Sequence, residues 1–426
     1  MANGRVLIAG GGIGGLTAAL CLAKAAFEVA LFEQAAEFGE IGAGIQLSPN
    51  CTRVLHHLGL EPALRACAFL PEGTEFRAWK SGKVIGASAL GKTVRDRYGF
   101  PYYHIHRGDL LRVLVEAAEG SSAIELNTAS EVRGFEQHGR VRIAVGGVGG
   151  IASDAGGTPS GAVHEGDALI GADGIHSAVR AQLFGDAAPR FTGNVAWRAL
   201  VPAERLPAGL VRPMSTAWWG PHKHFVHYYL RSGTLVNCVC VVEKTGWEVE
   251  SWTERGDFEE LKRDFAGWHE DIQTLIDNTD RNSLYKWALH DRPPLPLWGK
   301  GAVTLLGDAC HPTLPFMAQG AAMAIEDAAV LAGCLTTDDA VTAGLKRYED
   351  LRRARTAKIQ NGSRRNAKLF HLTGVKAWLR NRAAKRAGGR TMDGLFRYDA
   401  LQAPNAAPDH PRSNALPSRG TLGKGA

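Results

Sequence analysis

Gly10-Gly11-Gly12-Ile13-Gly14-Gly15 carries the spacing G-x-G-x-x-G at Gly10, Gly12 and Gly15. It follows an apolar stretch, residues 5–9, and opens an Ala/Leu-rich one, residues 13–26. In a strand–turn–helix setting the first glycine permits the tight turn. The second lets backbone approach a pyrophosphate, and the third lets helix and strand pack closely. The helix start then offers free N–H groups and a positive dipole end to phosphate. Gly14 lies in the same turn. Glu33 ends the next predicted strand, residues 28–33, with Gln34 beside it. A carboxylate there suits ribose hydroxyls. The chemistry implied is dinucleotide binding at Gly10, Gly12, Gly14, Gly15, Glu33 and Gln34.

Two later motifs each put an aspartate just after a short apolar strand: Gly171-Ala172-Asp173-Gly174-Ile175-His176-Ser177-Ala178-Val179-Arg180, and Gly307-Asp308-Ala309-Cys310-His311-Pro312 continuing to Gln319-Gly320. A short acid at such a position can cap a helix or meet a polyol hydroxyl. Between them, Lys223 to Arg231 reads K-H-F-V-H-Y-Y-L-R. As a strand it puts His224, Val226 and Tyr228 on one face and Phe225, His227 and Tyr229 on the other. Such a face could supply a base and a hydroxyl to a substrate, or simply fill the core and rim of a sheet.

The elements that must position these residues fall into two lobes, as 426 residues exceed one typical compact domain. Residues 1–190 read as the first part of a Rossmann-like α/β domain, opened by a βαβ unit. Helices are expected over 49–58 and 109–119, and a strand pair over 131–145. Residues 146–166 are rich in Gly, Ala and Ser and read as a loop insertion without a packed core. Residues 191–290 turn to alternating strands and form an inserted mixed-sheet domain. In that block Trp218 and Trp219 must face opposite sides, so at most one reaches a pocket. Residues 291–372 return to the first domain: a buried strand at 302–306, an apolar helix at 319–335 and a basic helix from 345 to about 370. Residues 373–426 read as a further basic helix and a proline-rich disordered tail.

Composition excludes several classes. Hydrophobic residues make up 45% and charged residues 22%, as in ordinary globular proteins. The net charge of +6 sits largely in the C-terminal third, in pairs such as Lys346-Arg347 and Arg364-Arg365. That pattern reads as a solvated helix face that also suits anionic small molecules, not as a nucleic-acid surface. The seven cysteines are scattered and lack zinc spacing, so neither a disulfide framework nor a metal site is expected. There is no signal-peptide pattern and no uninterrupted apolar run of membrane-spanning length. The expectation is a cytoplasmic, reduced protein, monomeric or homodimeric.

With all three motifs in order, the chain resembles the single-component FAD-dependent aromatic hydroxylases (group A), which include salicylate hydroxylase, 6-hydroxynicotinate monooxygenase and 3-hydroxybenzoate 6-hydroxylase. The likeness runs from about Arg5 to Phe370. Further segments carry it: Gly42 to Asn50 resembles the stretch that passes near the isoalloxazine, His106-Arg107-Gly108-Asp109-Leu110 the stretch whose arginine contacts the flavin, and Gly320 to Ala328 the helix after the flavin ring. The resemblance implies non-covalent FAD held at Glu33, Gly44, Arg107, Asp173, Asp308, Gly320 and Ala321. The resemblance also implies NADH or NADPH as a transient co-substrate without a second dinucleotide fold, and the chain agrees in having no second G-x-G-x-x-G in strand–helix context.

The implied reaction adds one oxygen from O₂, through a C4a-hydroperoxyflavin, to a small aromatic acid. A salicylate-type acid is favoured, with 3-hydroxybenzoate, 6-hydroxynicotinate or another N-heteroaromatic as the alternative. Hydroxynicotinate-type relatives place a His and a Tyr at the positions of His224 and Tyr228, which makes those two the catalytic candidates. Gln46, Trp219, Pro315 and Phe316 are the expected pocket walls. Relatives of that branch carry histidines where this chain has Gln46 and Phe316, which weighs against the pyridine substrate. A related halogenase reading lacks its W-x-W-x-I-P signature, since only Trp218-Trp219-Gly220-Pro221 occurs. A non-catalytic flavin-binding protein is the remaining alternative.

Overall fold

In the computed structural model, residues 3–39, 43–146, 162–244, 246, 254–387 and 392–405 are described. The first lobe is α/β. Its sheet has six strands, in the order Gly299–Lys300, Val303–Leu305, Ala168–Gly171, Arg5–Ala9, Glu28–Phe32, Ile124–Asn127. All pair in parallel except the short edge strand Gly299–Lys300. Parallel strands are covered on both faces, which is why Val6 to Ala9 and Ala168 to Ile170 read as unbroken apolar runs and are fully buried. The helices Ile13–Lys24 and Gly320–Thr337 pack on each other and share the core with Leu16, Leu22, Ile325 and Leu331. By length and composition Gly320–Thr337 is apolar enough to cross a membrane, yet it is the buried central helix of this lobe.

The second lobe is a seven-stranded sheet in the order Tyr285–Asp291, Arg190–Pro202, Leu235–Glu243, Lys223–Leu230, Met214–Gly220, Gly73–Ala78, Val84–Ala89. This corrects the boundary read from sequence. The hairpin Gly73–Ala78 and Val84–Ala89 comes from within residues 1–190, yet Gly73–Ala78 pairs in parallel with Met214–Gly220. One face of the sheet packs Trp197, Trp218, Phe225, Cys238 and Cys240 against the helices Phe258–Asp264 and Glu270–Asp277. The other face turns toward the first lobe.

The expected loop insertion also needs correction at its ends. Arg140–Gly146 and Ala162–Gly166 are strands paired with each other, and Arg140–Gly146 pairs on its other side with Glu131–His138. Residues 147–161, the middle of that insertion, lie outside the described residues. So do residues 406–426, the greater part of the expected tail. Residues ahead of them are packed: Phe396 is buried beside Tyr98 and Tyr102, and Pro404 sits against Gly333.

Candidate active site

The G-x-G-x-x-G turn is built as its spacing requires. Gly10 has φ +104°, and a side chain there would meet the Ala172 carbonyl. A Cβ on Gly15 would lie 2.0 Å from the Gly10 carbonyl oxygen, so the helix can approach the strand only with hydrogen at that position. A Cβ on Gly12, by contrast, would meet nothing within 4 Å. The space beyond Gly12 is open, as a cradle for a phosphate must be. Glu33 accepts the Gly11 N–H at 2.7 Å and the Ala35 N–H at 2.9 Å, so its carboxylate closes the turn from the neighbouring strand. Gln34 is exposed beside it.

A cavity of about 300 Å³ lies between the lobes, at the lower end of small-molecule sites. The first lobe contributes Gly12, Gly14, Arg107, Asp308, Gly320 and Ala321 to its walls. Two helices start there without a side-chain cap, Ile13–Lys24 after Gly12 and Gly320–Thr337 after Gln319. Their first N–H groups and positive dipole ends are therefore left for a ligand. Asp308 is exposed toward this space, and surrounding protein raises its carboxyl above the ordinary range while His311 and Arg107 oppose that rise.

Asp308 is held from below. Asp327 accepts the preceding Gly307 N–H at 3.2 Å, and also bonds His311 Nε2 at 2.5 Å and Arg352 Nε at 2.7 Å. His311 thereby braces the turn that follows Gly307. Arg180 donates to the carbonyls of Ile175 and Ala309, tying the second motif to the third. Asp173, which the resemblance implies as a cofactor contact, accepts the Val179 N–H at 3.2 Å through one carboxylate oxygen, and its neighbours Ala172 and Gly174 line the cavity.

The second lobe closes the cavity with His224, Val226 and Tyr228 of one strand face, with Val239 beside them and Arg198 from Arg190–Pro202. Gly44 and Gln46, on the strand Gly44–Leu47, lie across from them. A side chain on Gly44 would collide with Asn237 and Tyr228, and Asn237 accepts the Gly44 N–H at 2.8 Å. Only glycine allows that approach between lobes. Gln46 accepts the Tyr102 hydroxyl at 2.7 Å and donates to Ser215 at 3.1 Å. Pro315 also lines the cavity.

Two expected pocket walls stand behind the first layer. Trp219 is buried between Phe76 and Phe370, at ring distances of 4.3 and 5.0 Å, and Phe316 packs on His224 at 5.2 Å. Neither lines the cavity among the described residues. The strand alternation holds, because Trp218 points to the opposite face and donates to His227.

Burial decides what the two catalytic candidates can do. It pushes the Tyr228 phenol up, with Arg198 and a bond to Gln46 opposing, so Tyr228 is a neutral donor at ordinary pH and not a base. His224 is held well below the usual histidine range by burial and then by His371, so it is a neutral imidazole with a lone pair. Arg198, Asn237 and Tyr102 stand in no motif that marks them for this site. Arg198 alternates with the core residues Trp197 and Ala199, a signal that becomes legible only when the face of its strand is known.

Residues 3–363 match the family model described as FAD binding domain. The chain belongs to that family. Similar curated proteins include the 3-amino-4-hydroxybenzoate 2-monooxygenase of Streptomyces platensis, 38% identical over 95% of this chain and 97% of that one. The 3-hydroxybenzoate 6-hydroxylase of Polaromonas naphthalenivorans is 38% identical over 93% and 94%. A solved salicylate hydroxylase–substrate complex superposes with TM-score 0.75 at 26% identity, covering 94% of this chain and 97% of that one. The protein is an FAD-dependent monooxygenase of the group A aromatic hydroxylase type, with NAD(P)H as co-substrate.

The residues present fit that cofactor. The open cradle at Gly12, the uncapped helix starts and the cavity-facing Asp308 and Arg107 are the features that FAD requires. Arg107→Ala and Asp308→Ala should each weaken FAD binding. A lost charge-assisted bond of about 1.5–3 kcal/mol corresponds to roughly ten- to a hundredfold. Titrating apoprotein with FAD by flavin fluorescence checks this, and unchanged affinity in both variants would contradict the assignment.

Proposed function

We propose that this monooxygenase hydroxylates a small phenolic carboxylate of the hydroxybenzoate class, with salicylate among the first compounds to test. One arrangement carries the reading: a neutral imidazole, His224, and a guanidinium, Arg198, line the same cavity opposite the cofactor-side residues. Arg198 lies over the Trp287 ring at 4.0 Å, which orients it as a flat partner for a carboxylate. The similar proteins from Streptomyces platensis and Polaromonas naphthalenivorans, named for hydroxybenzoates, support the same class.

The flavin, when bound, supplies the reduced centre that activates O₂. The rest is done by this chain. His224 takes the phenol proton, which places negative charge in the ring and makes a ring carbon nucleophilic. Tyr228 donates a hydrogen bond, steadying the oxygen that has lost its proton. Arg198 fixes the carboxylate, and the apolar walls at Val226, Val239 and Leu314 limit water near the reacting atoms. The start of the Gly320–Thr337 helix favours negative charge at the cavity.

The test is a panel of salicylate, 3-hydroxybenzoate, 3-amino-4-hydroxybenzoate and 6-hydroxynicotinate. Each is scored for stimulated NADH and NADPH oxidation and for hydroxylated product. At least one benzoate should stimulate turnover, and Arg198→Met should raise its KM by roughly ten- to a hundredfold with a smaller change in kcat. Stimulation by 6-hydroxynicotinate alone would shift the assignment to the pyridine acids.

A further inference from the structure

His224 does not end at the cavity. Its Nδ1 lies 2.8 Å from Nε2 of His371, and His371 Nδ1 lies 2.8 Å from Oε1 of Glu243. The chain of contacts runs outward. His224 and His371 are buried, while the Glu243 side chain is 41% exposed. His222, more exposed still, holds the other carboxylate oxygen at 2.7 Å. Three separate elements bring these groups together: His224 comes from Lys223–Leu230, Glu243 from the end of Leu235–Glu243, and His371 from the residue after the helix Val341–Phe370.

The bonding order fixes the hydrogens. A carboxylate only accepts, so His371 must carry its hydrogen on Nδ1. Burial opposes ionisation of Glu243, but the bonds from His222 and His371 outweigh it and hold its carboxyl below the ordinary range. A neutral His371 then has a lone pair on Nε2, and His224 must donate to it from Nδ1. That leaves the Nε2 lone pair of His224, on a ring that forms part of the cavity wall. The neighbours of the array reinforce this arrangement. Phe316, Phe370 and Trp219 enclose His224 and His371 in apolar surface. Arg380 clamps the carbonyls of Leu369 and Phe370, fixing the helix end just before His371. Beside His371, the Glu243 carboxylate favours a positive charge, while burial, His222 and Arg380 disfavour one, and the balance holds the imidazole below its ordinary range.

We propose that His224, His371 and Glu243 form a relay that carries the proton of a bound phenol from the cavity to the protein surface. The proposal rests on the phenolic reading above. The phenol O–H bond breaks as its proton joins His224 Nε2. The Nδ1 hydrogen of His224 passes to His371 Nε2, and the Nδ1 hydrogen of His371 passes to Glu243, which releases it to water. One phenol becomes one phenolate and one proton in solvent, with no change of charge on either ring. Passage in reverse, when the hydroxylated product takes up a proton, restores both tautomers. His371 and Glu243 act through His224 and are positioning residues. The benefit is that a buried base need never hold a full positive charge, which its surroundings penalise.

The test uses the FAD-loaded full chain. ¹⁵N-histidine NMR of the resting protein should show His224 and His371 both protonated on Nδ1, and Glu243→Gln should leave His371 a mixture of tautomers. A hydrogen on Nε2 of His224 in the wild type overturns the relay. In stopped flow, the holoprotein is mixed with 3-hydroxybenzoate, salicylate or 6-hydroxynicotinate, and ionisation of the bound ligand is followed by absorbance. Glu243→Gln and His371→Asn should each slow that step roughly ten- to a hundredfold, within the range for assisted proton transfer, with ligand affinity little changed. Glu243→Asp should recover part of the rate. Unaltered ionisation in both variants overturns the relay and leaves the phenolic reading standing. A wild type that ionises none of the three ligands overturns the phenolic reading, and the relay falls with it.

Discussion

His224→Gln should lower the hydroxylation rate by roughly a hundred- to ten-thousandfold, the span attributed to a positioned general base. Glutamine keeps much of the volume and a hydrogen bond to His371, but has no lone pair basic enough to accept a phenol proton. Substrate affinity should change far less, so the loss should appear equally in kcat and kcat/KM. The wild type should also keep its base through mildly acidic pH. Burial and His371 hold the imidazole well below 6.5, so His224 stays neutral as pH falls past the ordinary histidine range. Tyr228→Phe should have the smaller effect, since burial keeps that phenol protonated and it serves as a donor. Steady-state rates with the best substrate of the panel decide the matter. Full coupled turnover in His224→Gln would remove it from the mechanism.

Arg352→Met should destabilise the first lobe by about 3–5 kcal/mol, a large share of the roughly 5–15 kcal/mol that holds a typical domain folded. Arg352 is fully buried, with Glu326 Oε2 at 2.6 Å and Asp327 Oδ1 at 2.7 Å, both carboxylates also fully buried. Removing the cation leaves two carboxylates buried away from water with one partner fewer each, Glu326 keeping Arg355 and Asp327 keeping His311. Burial alone would raise both carboxyls. For Glu326, Arg352 and Arg355 outweigh it, and for Asp327, His311 and Arg352 do, so both are held below their ordinary values of 4.5 and 3.8. A folded pKa below the unfolded one contributes stability that is present above the unfolded value and lost as pH falls through the folded one. The stabilities of wild type and variant should therefore converge below the ordinary carboxylate range and differ most at neutral pH. Urea unfolding at several pH values measures this, and a pH-independent gap would contradict it. Flavin should be lost early in the variant, because Asp327 also holds the Gly307 N–H next to Asp308.

Much of the cofactor side was legible in the chain itself. The glycine spacing, Glu33, the Gly307-Asp308 turn and the start of the Gly320 helix are local devices. Each works through backbone conformation and a few neighbouring residues, so residue type and spacing state them almost completely. Asp173 shows the limit of that logic. The same short acid can cap a helix or meet a ligand, and nothing in its local sequence shows that it accepts the Val179 N–H.

The substrate side depended on tertiary structure, for a physical reason. A strand shows from its alternation which residues share a face, but not what that face meets. The sequence alone thus grouped His224 with Tyr228 and set Trp218 against Trp219. It could not show that Trp219 stands behind Phe370, that Arg198 reaches the cavity, or that the Gly73–Ala78 hairpin extends the second sheet. His371 is the extreme case. It lies 147 residues from His224, beyond the last helix of the matched family region, and no local pattern distinguishes it. Only the docking of that helix end against the second sheet turns three distant polar residues into one connected line from the cavity to water.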